Sequence, residues 1–191
     1  ESGIIGTLVK SYYINGHTGP LGKGAKHRGV SEKAQEMTDD ERASTWWYQG
    51  APGGGAFLDI GCYGCLFSTW ARKDDDRPLS VTAMAGNYNT PYMDSVDNVA
   101  ALIAYRRSMS VIEGTWTTPQ AALPTGPVYC GTDGALYCTA DREIKAMNLY
   151  GEEIALPDLP IPEHIANLPD HYAFCKRTGT PLVKTVTLDY N

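Results

Sequence analysis

The stretch GGGAFLDIGCY, residues 53–63, opens the segment that decides the fold. After its glycines, the larger apolar residues of Ala56–Arg72 recur at helical spacing, which predicts the central helix of the chain. Asp59 and Tyr63 are four positions apart, so on that helix they share one face. A helix that starts after three glycines presents unpaired N–H groups with no side chains in the way.

A carboxylate and a phenol beside such an opening can bind and deprotonate an alcohol. The alternative interpretation is that Asp59 is an ordinary polar residue of an early helical turn and that Tyr63 packs in the core. On spacing alone the alternative is the commoner case, because pairs at this separation occur on every helix. Both interpretations stay open at this point.

Most of the remaining chain reads as strands, rich in β-branched and aromatic residues and bounded by turn-forming residues. The predicted strands cover residues 4–15, 79–90, 97–106, 109–118, 127–131, 135–140 and 143–150. Short connections between consecutive strands, such as Thr132-Asp133-Gly134 and Asp141-Arg142, predict a mainly antiparallel sheet.

Two further helices are predicted, at residues 31–44 and at 164–178, and Pro169 interrupts the second of them. Residues 15–30 and 155–162 read as loops, and 181–191 as extended chain. The expected fold class is α+β: a single domain over residues 1–191, with an open-faced, mainly antiparallel β-sheet and helices on one face.

The strand at 97–106 is apolar at both of its alternating sets of positions, which predicts burial on both sides of the sheet. Too few helices are predicted to cover two faces. We therefore expect a homo-oligomer in which a second copy covers the open sheet face.

Charge and composition exclude several classes of partner. The net charge of −6 argues against nucleic acid, because phosphates require a basic surface. No apolar run approaches the ~20 residues that span a bilayer, so no membrane partner is expected. Five cysteines in no disulfide pattern favour a reduced, cytoplasmic setting. The first residue is Glu1 rather than Met, so we expect the chain to start inside a longer polypeptide.

Three other patterns are weaker candidates for a site. Cys62 and Cys65 form a C-x-x-C pair, but they lie within the predicted helix rather than at its start, which favours a structural role over a redox or zinc role. The four histidines (17, 27, 164 and 171) lack zinc-binding spacing. The run Asp74-Asp75-Asp76 lacks the glycine and glutamate of a calcium loop. No metal site is predicted.

The motif at 53–63 resembles the signature of the glucose–fructose oxidoreductase and inositol dehydrogenase family, in which it opens the first long helix of the C-terminal domain. Other matching pieces follow in the family's order: Ser2–Gly6, Trp46-Trp47, Val96–Asn98 and Gly131–Leu136. The resemblance covers nearly the whole chain, and its specific part is the glycine–aspartate–tyrosine motif. It implies the substrate-binding part of an oxidoreductase that transfers a hydride between NAD or NADP and a sugar, polyol or related hydroxyl substrate.

By this resemblance Tyr63 is the acid/base that takes the proton of the substrate hydroxyl, and Asp59 binds and orients the hydroxyls. A phenol is a weak acid and needs a nearby cation to act at neutral pH. From their position at the end of the first strand, Tyr12, Asn15 and His17 are expected to line the sugar pocket. Gly54 and Gly55 are expected to contact the cofactor.

The sequence departs from the family pattern in two ways. The position of Tyr63 more often holds histidine, and the acidic residue often found three positions later is Leu66 here, which argues against a metal role. Family members also carry an N-terminal Rossmann domain with a glycine-rich phosphate turn and a catalytic lysine, and neither feature occurs in these 191 residues. We therefore expect no cofactor on this fragment and no activity from it alone. The alternative function is a non-catalytic dimerisation or carbohydrate-binding module.

Overall fold

The computed structural model describes residues 3–22, 36–72, 76–124, 126–158, 160 and 167–180. Its strands are β1 Leu8–Gly16, β2 Ser80–Gly86, β3 Asn98–Ala104, β4 Met109–Thr115, β5 Val128–Gly131, β6 Gly134–Cys138, β7 Ile144–Asn148 and β8 Glu153–Ile154. Its helices are α1 Asp39–Ala43, α2 Cys62–Trp70 and α3 Leu168–Thr178, with short 3₁₀ turns at Trp46–Tyr48 and Gln120–Ala122. A π-helical turn, Phe57–Gly61, leads directly into α2.

The strands form one sheet in the order β2-β3-β4-β1-β5-β6-β7-β8. Strands β1 and β4 pair in parallel, and all the other neighbouring strands described are antiparallel. The short turn at Thr132-Asp133 joins β5 to β6, and the turn from β6 to β7 places Arg142 at a φ of 65°. The predicted fold class, an open-faced and mainly antiparallel sheet with few helices, is confirmed.

Helix α2 lies against β1 and β4 and covers that part of one face of the sheet. The ring of Phe67 on α2 packs on Tyr13 of β1 with 5.4 Å between centroids. Below the helix end, the hydroxyl of Ser68 bonds to those of Ser110 and Tyr105 at 2.6 and 2.7 Å. These contacts fix the helix, and the turn before it, against β1 and β4.

In the single chain the strand predicted at 97–106 is buried on one side only, and its predicted burial on the other side requires a second copy. In β3, Val99, Ala101 and Ile103 are buried, whereas Ala100 and Leu102 between them are exposed. The reason is that α2 and the turn before it cover only one face, and the described helices supply no second layer. The opposite face, which we call the open face, remains exposed.

The helix predictions need correction at their ends. Helix α1 begins after Thr38, which forms a capping box with Glu41, while Ser31 lies outside the described residues. Helix α3 begins at Leu168, after the N-cap Asn167, so Pro169 stands in its first turn and does not interrupt it. A proline fits there because the first N–H groups of a helix have no intrahelical partner. Strand β8, only two residues long, was not predicted.

Candidate active site beside the parallel strands

The parallel pairing of β1 and β4 brings two distant side chains together. The register joins Gly16 to Thr115, and the amide of His17 donates to the Thr115 carbonyl at 3.0 Å. His17 and Trp116 therefore leave the carboxyl ends of the two strands side by side. Their rings are stacked, with 6.2 Å between centroids.

Asp59 reaches this pair from the π-helical turn that precedes α2. One carboxylate oxygen, Oδ2, accepts from Trp116 Nε1 at 2.9 Å and lies 3.0 Å from His17 Nε2. An ionised carboxylate only accepts, so in that state Nε2 of His17 carries the hydrogen of this bond. The close approach depends on Gly114 of β4, because a Cβ there would lie 3.1 Å from the carbonyl oxygen of Ala56.

The π-helical turn is a local departure from the predicted α-helix. Such turns are rare, and many occur at functional sites. Here the turn aims Asp59 inward, where its side chain is 20% exposed, whereas Tyr63 on the first turn of α2 is half exposed. Within the described residues no hydrogen bond joins Asp59 to Tyr63 or engages the Tyr63 hydroxyl.

A second phenol lies near Tyr63. Asn15 Nδ2 donates to the hydroxyl of Tyr13 at 2.9 Å. Burial raises the pKa of Tyr13; the Asn15 bond opposes this rise, and the neighbouring Tyr63 phenol and Cys62 thiol add to it. Asn15 therefore lies on the site side of β1, but it contacts Tyr13 and does not contact Asp59.

Trp116 also joins the site to a buried carboxylate. Its backbone amide donates to the carbonyl of Asp97 at 2.8 Å. The Asp97 carboxylate, fully buried, accepts from the amides of Tyr88 and Asn89 at 2.9 and 2.8 Å. The loop anchored by Asp97 is thereby linked to the backbone of Trp116.

Three of the expected contact residues have other surroundings than predicted. Tyr12 alternates with Tyr13 along β1, so it lies on the open face, where the Lys10 ammonium sits 4.6 Å from its ring centre. The amides of Gly54 and Gly55 are already bonded, to the carbonyls of Gln49 and Trp47, and both glycines are buried. They present no unpaired N–H groups to a ligand. A Cβ at Gly54 would collide with the carbonyls of Trp46 and Trp47, which explains the need for glycine there.

The other candidate patterns gain no support as sites. Burial is the main factor that raises the pKa of both Cys62 and Cys65, which disfavours the reactive thiolate form. His171 lies in α3, 3.6 Å from the sulfur of Cys175, while His27, His164, Asp74 and Asp75 lie outside the described residues. In the part of the chain that is described, no three metal-ligating side chains cluster, and no helix is long and apolar enough to cross a membrane.

Comparison with known proteins decides the family. Residues 23–137, more than half of the chain, match the GFO/IDH/MocA C-terminal domain. This chain belongs to the GFO/IDH/MocA family. The resemblance found in the motif at 53–63 is thereby confirmed. The domain is also 34% identical over 89 residues to the trans-1,2-dihydrobenzene-1,2-diol dehydrogenase of Xenopus tropicalis, a match that covers 47% of this chain and 25% of that protein.

Solved structures of oxidoreductases share the fold of this GFO/IDH/MocA domain. The aldose–aldose oxidoreductase of Caulobacter crescentus, complexed with glycerol, superposes with a TM-score of 0.66 at 14% identity, over 95% of this chain and 49% of that one. The inositol dehydrogenase homologue of Azotobacter vinelandii, complexed with NAD⁺, gives a TM-score of 0.60 at 11% identity, over 81% of this chain and 37% of that one. The chain thus spans half or less of the proteins it matches.

Trp116 is the site residue that sequence reasoning missed. Asp59 stands within a recognisable motif, but Trp116 is recruited only through the pairing of two strands far apart in sequence. One sequence signal was available, because Trp116 directly follows the Gly-Thr pair in the strand predicted at 109–118, and therefore stands near the carboxyl end of that strand.

Proposed function

We propose that this domain forms the substrate side of an NAD(P)-dependent oxidoreductase that acts on a hydroxyl of a sugar, polyol or related substrate. The observation that carries the proposal is a carboxylate, Asp59, held by two donors, four residues before the exposed phenol of Tyr63. The family and the names of the relatives support it: one is a diol dehydrogenase, one is complexed with glycerol, and one is an inositol dehydrogenase homologue complexed with NAD⁺.

In this proposal Tyr63 receives the proton of the substrate hydroxyl. Because the phenol is exposed, a second domain can bring a cation close to it. A phenol needs such a cation to act as a base near neutral pH. Asp59 accepts a hydrogen bond from a neighbouring hydroxyl of the substrate, which places the reacting hydroxyl beside Tyr63. We assign His17, which bonds to Asp59, to the substrate pocket, while Asn15 donates to the hydroxyl of Tyr13.

The residues described here do not fit the cofactor itself. The amides of Gly54 and Gly55 are engaged in the fold, and the sequence has no glycine-rich phosphate turn. We therefore assign the nicotinamide cofactor, which supplies or accepts the hydride when bound, to a Rossmann domain outside this chain.

The open face suits a second copy of the chain. Leu102, Val111, Tyr12 and Val128 are paired in turn across strands β3, β4, β1 and β5 on this face. Met84 of β2, which pairs with Ala100, lies diagonal to Leu102. Monomeric proteins seldom leave so continuous an apolar surface in water. The partner in this proposal is the same face of another copy.

The test of the proposed activity is turnover by the full-length protein. It should be incubated with NAD⁺ or NADP⁺ and a panel of aldoses, cyclic polyols and vicinal diols, while reduced nicotinamide is followed by its absorbance. We expect at least one of these substrates to be oxidised. A folded full-length protein that binds the nucleotide and oxidises no member of the panel would contradict the proposal.

A further inference from the structure

We infer that Trp116 is a positioning residue of this site. Its indole N–H, together with the imidazole of His17, holds Oδ2 of Asp59, so that Oδ1 is the oxygen presented to a substrate hydroxyl. This inference rests on the proposed function and deepens it by naming the atom that selects the substrate.

The two carboxylate oxygens of Asp59 differ in their contacts. Oδ2 is 2.9 Å from Trp116 Nε1 and 3.0 Å from His17 Nε2. Oδ1 has no hydrogen bond within the described residues. In that same part of the chain no buried side-chain oxygen or nitrogen lacks a partner, so Oδ1 must reach the solvent.

Trp116 is rigidly held. Its side chain is 3% exposed and packs edge-on against Tyr48, with 5.4 Å between ring centroids. Tyr48 is itself buried, and its hydroxyl accepts from the amide of Leu21 at 3.1 Å. A donor fixed in this way orients the Asp59 carboxylate before the substrate binds. Binding then costs less conformational entropy, because the carboxylate is already ordered.

The contacts of Asp59 also determine which substrates the site can select. The indole N–H can only donate, so Oδ2 of Asp59 is the acceptor of this bond and is already occupied. Oδ1 then accepts a hydrogen bond from a substrate O–H, and it cannot donate one to an ether or a carbonyl oxygen. A site built around one such bond rejects an analogue that lacks the hydroxyl, because the carboxylate oxygen is left unpaired. The substrate class is therefore one with a free hydroxyl next to the reacting carbon.

The test is Trp116→Phe in the full-length protein. Phenylalanine keeps an aromatic ring against Tyr48 and removes the N–H. Loss of a hydrogen bond to a charged group corresponds to roughly a tenfold or larger effect, so we expect KM to rise by about that factor while kcat changes less. Trp70→Phe, the same substitution at an exposed position of α2, is the matched control and should leave KM unchanged.

A double-mutant cycle separates positioning from a general packing effect. If Trp116 acts through Asp59, then adding Trp116→Phe to Asp59→Ala should change kcat/KM little further. An unchanged KM in Trp116→Phe, or effects of the two substitutions that multiply independently, would overturn the inference. Should Trp116→Phe fail to fold, benzothienylalanine at position 116, which replaces the N–H by sulfur, carries the same test.

Failure of the inference is distinguishable from failure of the proposed function. If the function is wrong, the wild-type protein turns over no hydroxyl substrate, or Tyr63→Phe is as active as the wild type. If only the role of Trp116 is wrong, the wild type is active, Tyr63→Phe is impaired, and Trp116→Phe keeps the wild-type KM.

Discussion

Asp97 is a fully buried carboxylate at the start of β3 that organises the loop before it. Burial alone would raise its pKa, but hydrogen bonds from the Tyr88 amide, Asn98, the Asn89 amide and Thr90 outweigh burial, and the net pKa lies below the ordinary value. The folded-state pKa is thus lower than the unfolded value of about 4. This carboxylate therefore contributes stability that is complete above the unfolded pKa and is lost as the pH falls through the folded-state pKa.

Asp97→Asn should lower the free energy of unfolding by about 1.5–3 kcal/mol at pH 7, because one acceptor oxygen becomes an amide that cannot accept. The difference from the wild type should shrink as the pH falls below about 4. Urea unfolding between pH 3 and 7 measures both effects, with the exposed Asp141→Asn as control. A difference that stays constant with pH would show that the charge of Asp97 is not what stabilises the loop.

Helix α2 packs so closely on the sheet that Gly64 has no room for a side chain. A Cβ there would lie 2.5 Å from Cγ2 of Ile112 and 3.0 Å from Cδ1 of Tyr13. Alanine in a helix interior normally gains up to ~1 kcal/mol over glycine. Overpacking a closed core costs about 1–3 kcal/mol, so the cost should prevail here.

Gly64→Ala should therefore lower the free energy of unfolding by about 1–2 kcal/mol, measured by thermal or chemical denaturation. The control is Thr69→Ala on the exposed side of the same helix, which should stay within about 0.5 kcal/mol of the wild type. A rise in stability for Gly64→Ala would mean that α2 does not lie against Ile112 as described.

The strands and the helix show which parts of the structure can be predicted from the sequence alone. Strands β2 to β7 were predicted to within a few residues, because alternating apolar residues and tight turns are local signals. Asp59 was found through its motif. The π-helical turn, the parallel pairing of β1 with β4 and the recruitment of Trp116 were not predicted, because they depend on contacts such as Gly16 with Thr115 that no local pattern encodes.

At the scale of the whole molecule, the open face should mediate self-association. Leu102, 46% exposed, lies opposite Val111 on this face, and Met84, which lies diagonal to Leu102 on β2, is 75% exposed. Light scattering of the wild-type chain should give a mass above that of one copy. Leu102→Lys should return it to a monomer with little loss of fold, since burying an unpaired charge in the interface is costly.

Tyr150→Lys, at an exposed position in the turn between β7 and β8, is the control for an added charge and should keep the wild-type mass. A strictly monomeric wild type at high concentration would contradict the assignment of a second copy to the open face.

The role of Tyr63 is the most direct test of the proposed function, and turnover of Tyr63→Phe in the full-length protein measures it. The substitution removes the proton acceptor and keeps the ring, and general acid–base catalysis contributes about 10²–10⁴-fold, so kcat should fall by that factor while thermal unfolding stays unchanged. Tyr172→Phe, a tyrosine on α3 with nearly the same exposure as Tyr63, is the matched control and should keep full activity. Wild-type turnover by Tyr63→Phe across the pH range would contradict the account.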